Sequence, residues 1–217
     1  QLDKIHFKNN ILKAKWKETN PSSYIFTHDN IISRTECNHL INLFNSNENL
    51  FDIHISKNLK FISIKDIKEN NDDDDFEYLN LIQKKIQDKI NNLINIYTEY
   101  RHTILLWSPA HIEKYYKNVS SVNWNTYLET MCSRYNDFIS DYKFVMYSNM
   151  AWNIEIYLNN VNGGCKIFKN YDTDLKFKQG LAIGCPIQWT HINYNTPSEE
   201  NLYVLNMKIY IRKFSFE

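Results

Sequence analysis

Apolar residues in the first part of the chain recur at intervals of three and four, and from position 102 onward they recur at every second place. The first spacing makes one buried stripe on a helix, and the second makes one buried face on a strand. Cys37, Leu40, Ile41 and Phe44 predict a helix that Thr35 can cap and that ends near Asn45 to Asn49. Leu79, Ile82, Ile86, Ile90, Leu93 and Tyr97 predict a longer helix with one core-facing side. Ahead of both, Tyr24-Ile25-Phe26 reads as a short strand and Asp29-Asn30 as a turn. Residues 1–22 are polar and mixed, and read as an arm or edge element.

Beyond them, strands are expected at His102 to Trp107, His111 to Tyr116, Lys143 to Tyr147, Met150 to Leu158, Leu175 to Lys178, Leu181 to Cys185 and Tyr203 to Ile211. In the last of these, Tyr203, Leu205, Met207, Ile209 and Ile211 share a face. Helices followed by many strands joined through hairpin turns argue for an α+β chain with an antiparallel sandwich or barrel in its C-terminal half. Beyond the arm, residues 23–217 are read as a single domain.

Composition narrows the function. Lys plus Arg and Asp plus Glu number 25 each, so no overall field draws the chain to nucleic acid or to anionic lipid. No apolar run approaches the roughly 18 residues of a membrane span, and Gln1-Leu2-Asp3-Lys4 carries no signal-peptide core. Cys37, Cys132, Cys165 and Cys185 are scattered without a C-x-x-C pair, as expected of reduced thiols in the cytoplasm or a virion. The run Asp72-Asp73-Asp74-Asp75 lacks the alternate spacing and the glycine of a calcium loop, and reads as acidic charge at a helix N-terminus.

The chain has 4 glycines where average usage would give roughly 15. They are Gly163, Gly164, Gly180 and Gly184, which predict a tight turn between two strands and then a second turn with close backbone approach. Around them stand Tyr157-Leu158-Asn159-Asn160-Val161-Asn162-Gly163-Gly164, Phe168, Lys178-Gln179-Gly180 and Pro186-Ile187-Gln188-Trp189-Thr190-His191. This order resembles the C-terminal half of the prolyl 4-hydroxylase-like, Fe(II)- and 2-oxoglutarate-dependent dioxygenases, in the small form that bacteriophages encode. The segment Ile31 to Ile41 is similar to the helix that opens that family's domain. The resemblance implies a double-stranded β-helix, or jelly roll, with the N-terminal helices packed on one sheet.

It also implies a metal held by a His-x-Asp or His-x-Glu on one strand and a distal His on a later one. Two imidazoles and one carboxylate on one side of the ion leave positions open for co-substrate and dioxygen. His191 matches the distal ligand; its other reading is a hydrogen-bonded histidine at a sheet edge. At the proximal place the chain has Trp124-Asn125-Thr126-Tyr127-Leu128-Glu129, so Asn125 and Tyr127 stand where His and the carboxylate are expected. A two-residue shift brings in Glu129 but no histidine. His111 and Glu113 form a second His-x-Glu, on one face of a strand, but 50 residues ahead of Gly163. The family anchors the co-substrate's far carboxylate with a basic residue soon after the distal His, whereas residues 192–203 hold no Lys or Arg and contain Glu199 and Glu200; Lys208 and Arg212 come late.

Two requirements of the chemistry fail together, which points to a fold kept after catalysis was lost. The expectation is a non-catalytic binding or assembly protein with protein partners, among them other virion proteins, and no cofactor. The rival is an active dioxygenase using Fe(II) and 2-oxoglutarate, with His191 and either Glu129 or the His111 and Glu113 pair on the metal. A third reading is a lectin-like jelly roll that uses its Trp and Tyr faces for sugars.

Overall fold

The structure is a computed structural model that describes residues 16–18, 25–48, 54–56, 59–63, 73–97, 103–108, 110–118, 149–186 and 193–213. Its first element, β1 (Trp16–Glu18), lies in the segment read as an arm and pairs antiparallel with β2 (Phe26–His28). The arm therefore supplies an edge strand. The strand read at Tyr24 to Phe26 begins later, at Phe26.

Helix α1 (Arg34–Asn47) buries Cys37, Leu40, Leu43 and Phe44, with Ile41 only half-buried. Thr35 is not its cap. Ser33 takes that place: its Oγ accepts from the Glu36 backbone N–H at 3.2 Å, while the Glu36 carboxylate accepts from the Ser33 N–H at 2.6 Å. This is a capping box, and the Ser-x-x-Glu spacing that encodes it stands in the sequence. Helix α2 (Asp73–Tyr97) begins inside the acidic run and buries Leu79, Ile82, Ile86 and Ile90 on one side, as the spacing predicts. No helix among the described residues is long and apolar enough to cross a membrane.

The remaining strands are β3 (His54–Ser56), β4 (Leu59–Ser63), β5 (Thr103–Trp107), β6 (His111–Tyr115), β7 (Asn149–Tyr157), β8 (Cys165–Phe168), β9 (Thr173–Lys176), β10 (Ala182–Pro186), β11 (Asn193–Asn195) and β12 (Leu202–Lys213). They form two antiparallel sheets. The larger runs β1-β2-β10-β7-β12-β6-β4-β3, with β5 also paired to β12, and the smaller runs β11-β8-β9. From β7 to β12 the chain crosses repeatedly between the sheets, so neighbours in space are distant in sequence. The strand expected at Lys143 to Tyr147 lies outside the described residues.

The larger sheet has two working faces. Ile112, Ile154, Ile156, Leu205, Met207 and Ile209 point to the helices and form one apolar cluster with Leu40, Phe44, Leu79 and Ile86. Both helices thus pack on one sheet, and each fully buried Ile or Leu contributes about 1.5–3 kcal/mol relative to exposure. Tyr157, Ile183, Cys185, Leu202 and Val204 point the other way and meet Phe168 of the smaller sheet. This second face is the interior of the sandwich.

The Leu158 to Gly164 segment clasps the two sheets. Asn159 donates through Nδ2 to the Asn201 carbonyl at 2.8 Å and accepts at Oδ1 from the Tyr203 N–H at 2.9 Å. Gly164 sits at φ +72, and a Cβ there would come within 2.9 Å of Phe177 and 3.0 Å of the Pro197 carbonyl oxygen. Gly180 sits at φ +79, donates to the Tyr157 carbonyl at 2.8 Å and accepts from the Ile31 N–H at 3.0 Å. Both turns demand glycine, one for its handedness and crowding, the other for the close passage of the Ile32 backbone.

Candidate functional site

Three neighbouring strands of the larger sheet place polar side chains in the interior. Register sets His111 of β6 opposite Asn206 of β12, and Asn206 opposite Glu155 of β7. Glu113, Val204 and Tyr157 form the adjoining row, and Lys208, Asn153 and Cys185 the row on the other side. Directly opposed residues of an antiparallel pair share a face, so each row is one line of contacts.

Glu113 is fully buried, and both its carboxylate oxygens have hydrogen-bond partners. Tyr115 Oη donates to Glu113 Oε2 at 2.7 Å, Asn206 Nδ2 donates to Oε1 at 3.3 Å, and His111 Nε2 lies 2.9 Å from the same Oε1. The expected sharing of one face by His111 and Glu113 is therefore observed, and the two side chains bind each other.

Glu155 is the second interior carboxylate. Lys166, on β8 of the opposite sheet, donates to both its oxygens, at 2.9 and 2.7 Å, and Asn153 Nδ2 donates to Oε1 at 2.9 Å. Lys166 also lies 3.4 Å from Asn195 Oδ1 on β11. Lys166 is 3% exposed, and burying an ammonium to that degree is costly unless an acid lies at contact distance.

Tyr157 is fully buried beside this pair, and its hydroxyl borders the Glu155 carboxylate without a well-formed hydrogen bond to any described residue. Burial first, and then the Glu155 charge, push its phenol well above the ordinary value. Burial pushes the Cys185 thiol up to about 12, with Glu155 raising it and Lys166 lowering it. Both groups stay neutral at physiological pH and flank the Lys166 and Glu155 pair as uncharged neighbours.

The side chains assigned from sequence divide unevenly. His111 and Glu113 come together as described; His191, Asn125, Tyr127 and Glu129 lie outside the described residues. Lys166, Glu155, Asn153, Asn195 and Tyr157 were not singled out. One signal for them was present. Asn153, Glu155 and Tyr157 alternate with Ile154, Ile156 and Leu158, but alternation alone reads the polar side as solvent-facing. The strand is instead covered on both faces.

No complete site for either cofactor of the resembling enzymes is formed by the described residues by themselves. Among these, no three His, Cys, Asp or Glu side chains converge as a cation site, and the His111 and Glu113 donor atoms are directed at one another. Two buried lysines face this interior: Lys166 holds both oxygens of Glu155, and Lys208 stands in the row of Asn153 and Cys185.

No family model matches this chain, and no curated protein matches it by sequence. Solved structures do match. The viral collagen prolyl hydroxylase of Paramecium bursaria Chlorella virus-1, in complex with 2-oxoglutarate, is similar with a TM-score of 0.60 at 14% identity, over 90% of this chain and 100% of that one. A Pseudomonas putida prolyl-4-hydroxylase is similar with a TM-score of 0.52 at 9% identity, over 89% and 95% of the two chains. A Trichoplax adhaerens prolyl hydroxylase, in complex with a peptide fragment of the hypoxia-inducible factor oxygen degradation domain, gives 0.55 at 10% identity, over 88% and 84%. The chain thus shares the fold of these prolyl hydroxylases, built here from two antiparallel sheets with crossings from β7 to β12 and two helices on the larger sheet.

Proposed function

We propose that this chain is a jelly roll of the prolyl-hydroxylase type that has lost Fe(II) and 2-oxoglutarate binding and works as a non-catalytic binding or assembly protein. The observation that carries the reading is the Lys166 and Glu155 pair. A buried carboxylate ligand needs a cation in the interior, because a charge-assisted pair is what offsets its loss of hydration. Here the Lys166 ammonium gives bonds of 2.9 and 2.7 Å to the chain's own acid.

The sequence adds two supports. Asn125 and Tyr127 take the places where an imidazole and a carboxylate are expected, and residues 192–203 supply no Lys or Arg. The phage-like form of the glycine motif points to a virion as the setting, with other virion proteins as partners. The test is an anaerobic titration with Fe(II) and 2-oxoglutarate followed by admission of oxygen and measurement of succinate. Absence of both stoichiometric iron and succinate supports the reading. Turnover overturns it in favour of an active dioxygenase with His191 and either Glu129 or the His111 and Glu113 pair on the metal.

A further inference from the structure

Lys166 and Glu155 reach each other from different sheets, and no turn or helix end obliges them to meet. The register neighbours of Glu155 on the same sheet are Ile183 and Asn206, so an apolar or neutral residue fits that row. A buried ion pair is a poor source of stability compared with apolar residues of similar size. Its geometry is that of a receptor around a carboxylate: two short bonds from one ammonium, a third from an amide, and a buried hydroxyl close by.

We propose that Lys166, Asn153 and Tyr157 form a receptor for one small carboxylate, and that Glu155 fills this receptor from within the chain. The inference rests on the non-catalytic reading and supplies a cause for it, since a receptor filled by a tethered acid does not admit a free one. Tyr157 gives the second, independent sign. Its hydroxyl is fully buried and stands beside the Glu155 carboxylate without a well-formed hydrogen bond to any described residue. An untethered carboxylate is free to turn and accept from Lys166, Asn153 and Tyr157 together.

Glu155→Ala tests this directly, because the substitution removes one methylene and one carboxylate, the heavy atoms of an acetate ion. The variant is expected to melt lower than the native chain, and its melting temperature is expected to rise with added acetate or formate. The response should be half-maximal in the millimolar range, as suits a ligand of so few atoms. Sodium chloride at equal ionic strength should not reproduce it. The native chain and the double variant Glu155→Ala with Lys166→Met should not respond to acetate.

Equal responses in the native chain or in the double variant would overturn the proposal, as would no response in Glu155→Ala. If that variant is recovered only as insoluble protein, its refolding yield in acetate against chloride gives the same answer. A higher yield in acetate supports the receptor, and equal yields, including none in either salt, overturn it. The two claims fail separately: succinate production by the native chain sinks the non-catalytic reading, whereas an indifferent Glu155→Ala sinks only the receptor.

Discussion

Replacing Lys166 with Met leaves Glu155 in the interior without its cation. The Glu155 side chain is 10% exposed and that of Lys166 4%, so solvent cannot take over the lost interaction. Both bonds to the ammonium vanish, and among the described residues the Asn153 amide is left on the carboxylate, with the Tyr157 hydroxyl beside it. Breaking one side of a buried pair typically costs about 3–5 kcal/mol, which for a chain of this length lowers the melting temperature by roughly 6–20 °C. Glu155→Leu alone leaves the opposite charge uncompensated and falls in the same range. The double variant Lys166→Met with Glu155→Leu removes both charges and should recover most of the loss, because apolar residues of similar volume replace such pairs at little or no cost. Urea unfolding of the four proteins forms a double-mutant cycle, whose coupling energy should exceed ~2 kcal/mol. A Lys166→Met variant within ~0.5 kcal/mol of the native chain would show that the pair is solvated and refute the reasoning.

Further outcomes follow from other parts of the molecule. Gly164→Ala forces a side chain into the left-handed region, at about 1–2 kcal/mol, and sets its Cβ 2.9 Å from Phe177; unfolding should show a larger loss than that, whereas an unchanged midpoint would mean that the turn is free to move. Glu48 is held below its ordinary pKa: burial alone would raise it, but bonds from Lys114 at 2.8 and 3.0 Å and the nearby Lys60 outweigh burial. Its folded pKa lies below the unfolded value of 4.5, so its contribution is present above that pH and is lost as pH falls through the folded pKa. The stability gap between native chain and Glu48→Gln should therefore narrow from neutral pH to about pH 3; a gap that stays constant across that range contradicts the assignment.

Periodicity made both helices and the longer strands legible because each has one apolar face. Leu79, Ile82, Ile86 and Ile90 needed no tertiary knowledge, and neither did the turns at Gly164 and Gly180. Short strands were not legible: β1, β3 and β11 have three residues each, too few for alternation to register, and their pairing is set by distant partners. The cap at Ser33 was missed because Thr35 is also a good capping residue; only the reciprocal bonds with Glu36 decide between them.

The interior charges were hidden for a different reason. Glu155 and Lys166 read as the wet side of their strands until the smaller sheet is laid across the larger. Eleven positions apart in sequence, they meet only because β7 and β8 end in different sheets. His111 and Glu113, two positions apart on one strand, were within reach of a sequence argument, but their mutual bond was not.

The measurement that bears most directly on the account is succinate release from 2-oxoglutarate by purified chain loaded anaerobically with Fe(II) and then exposed to oxygen. The account predicts no stoichiometric iron and no succinate above the protein-free control. Iron bound at one equivalent together with succinate formed in step with oxygen consumption would contradict it.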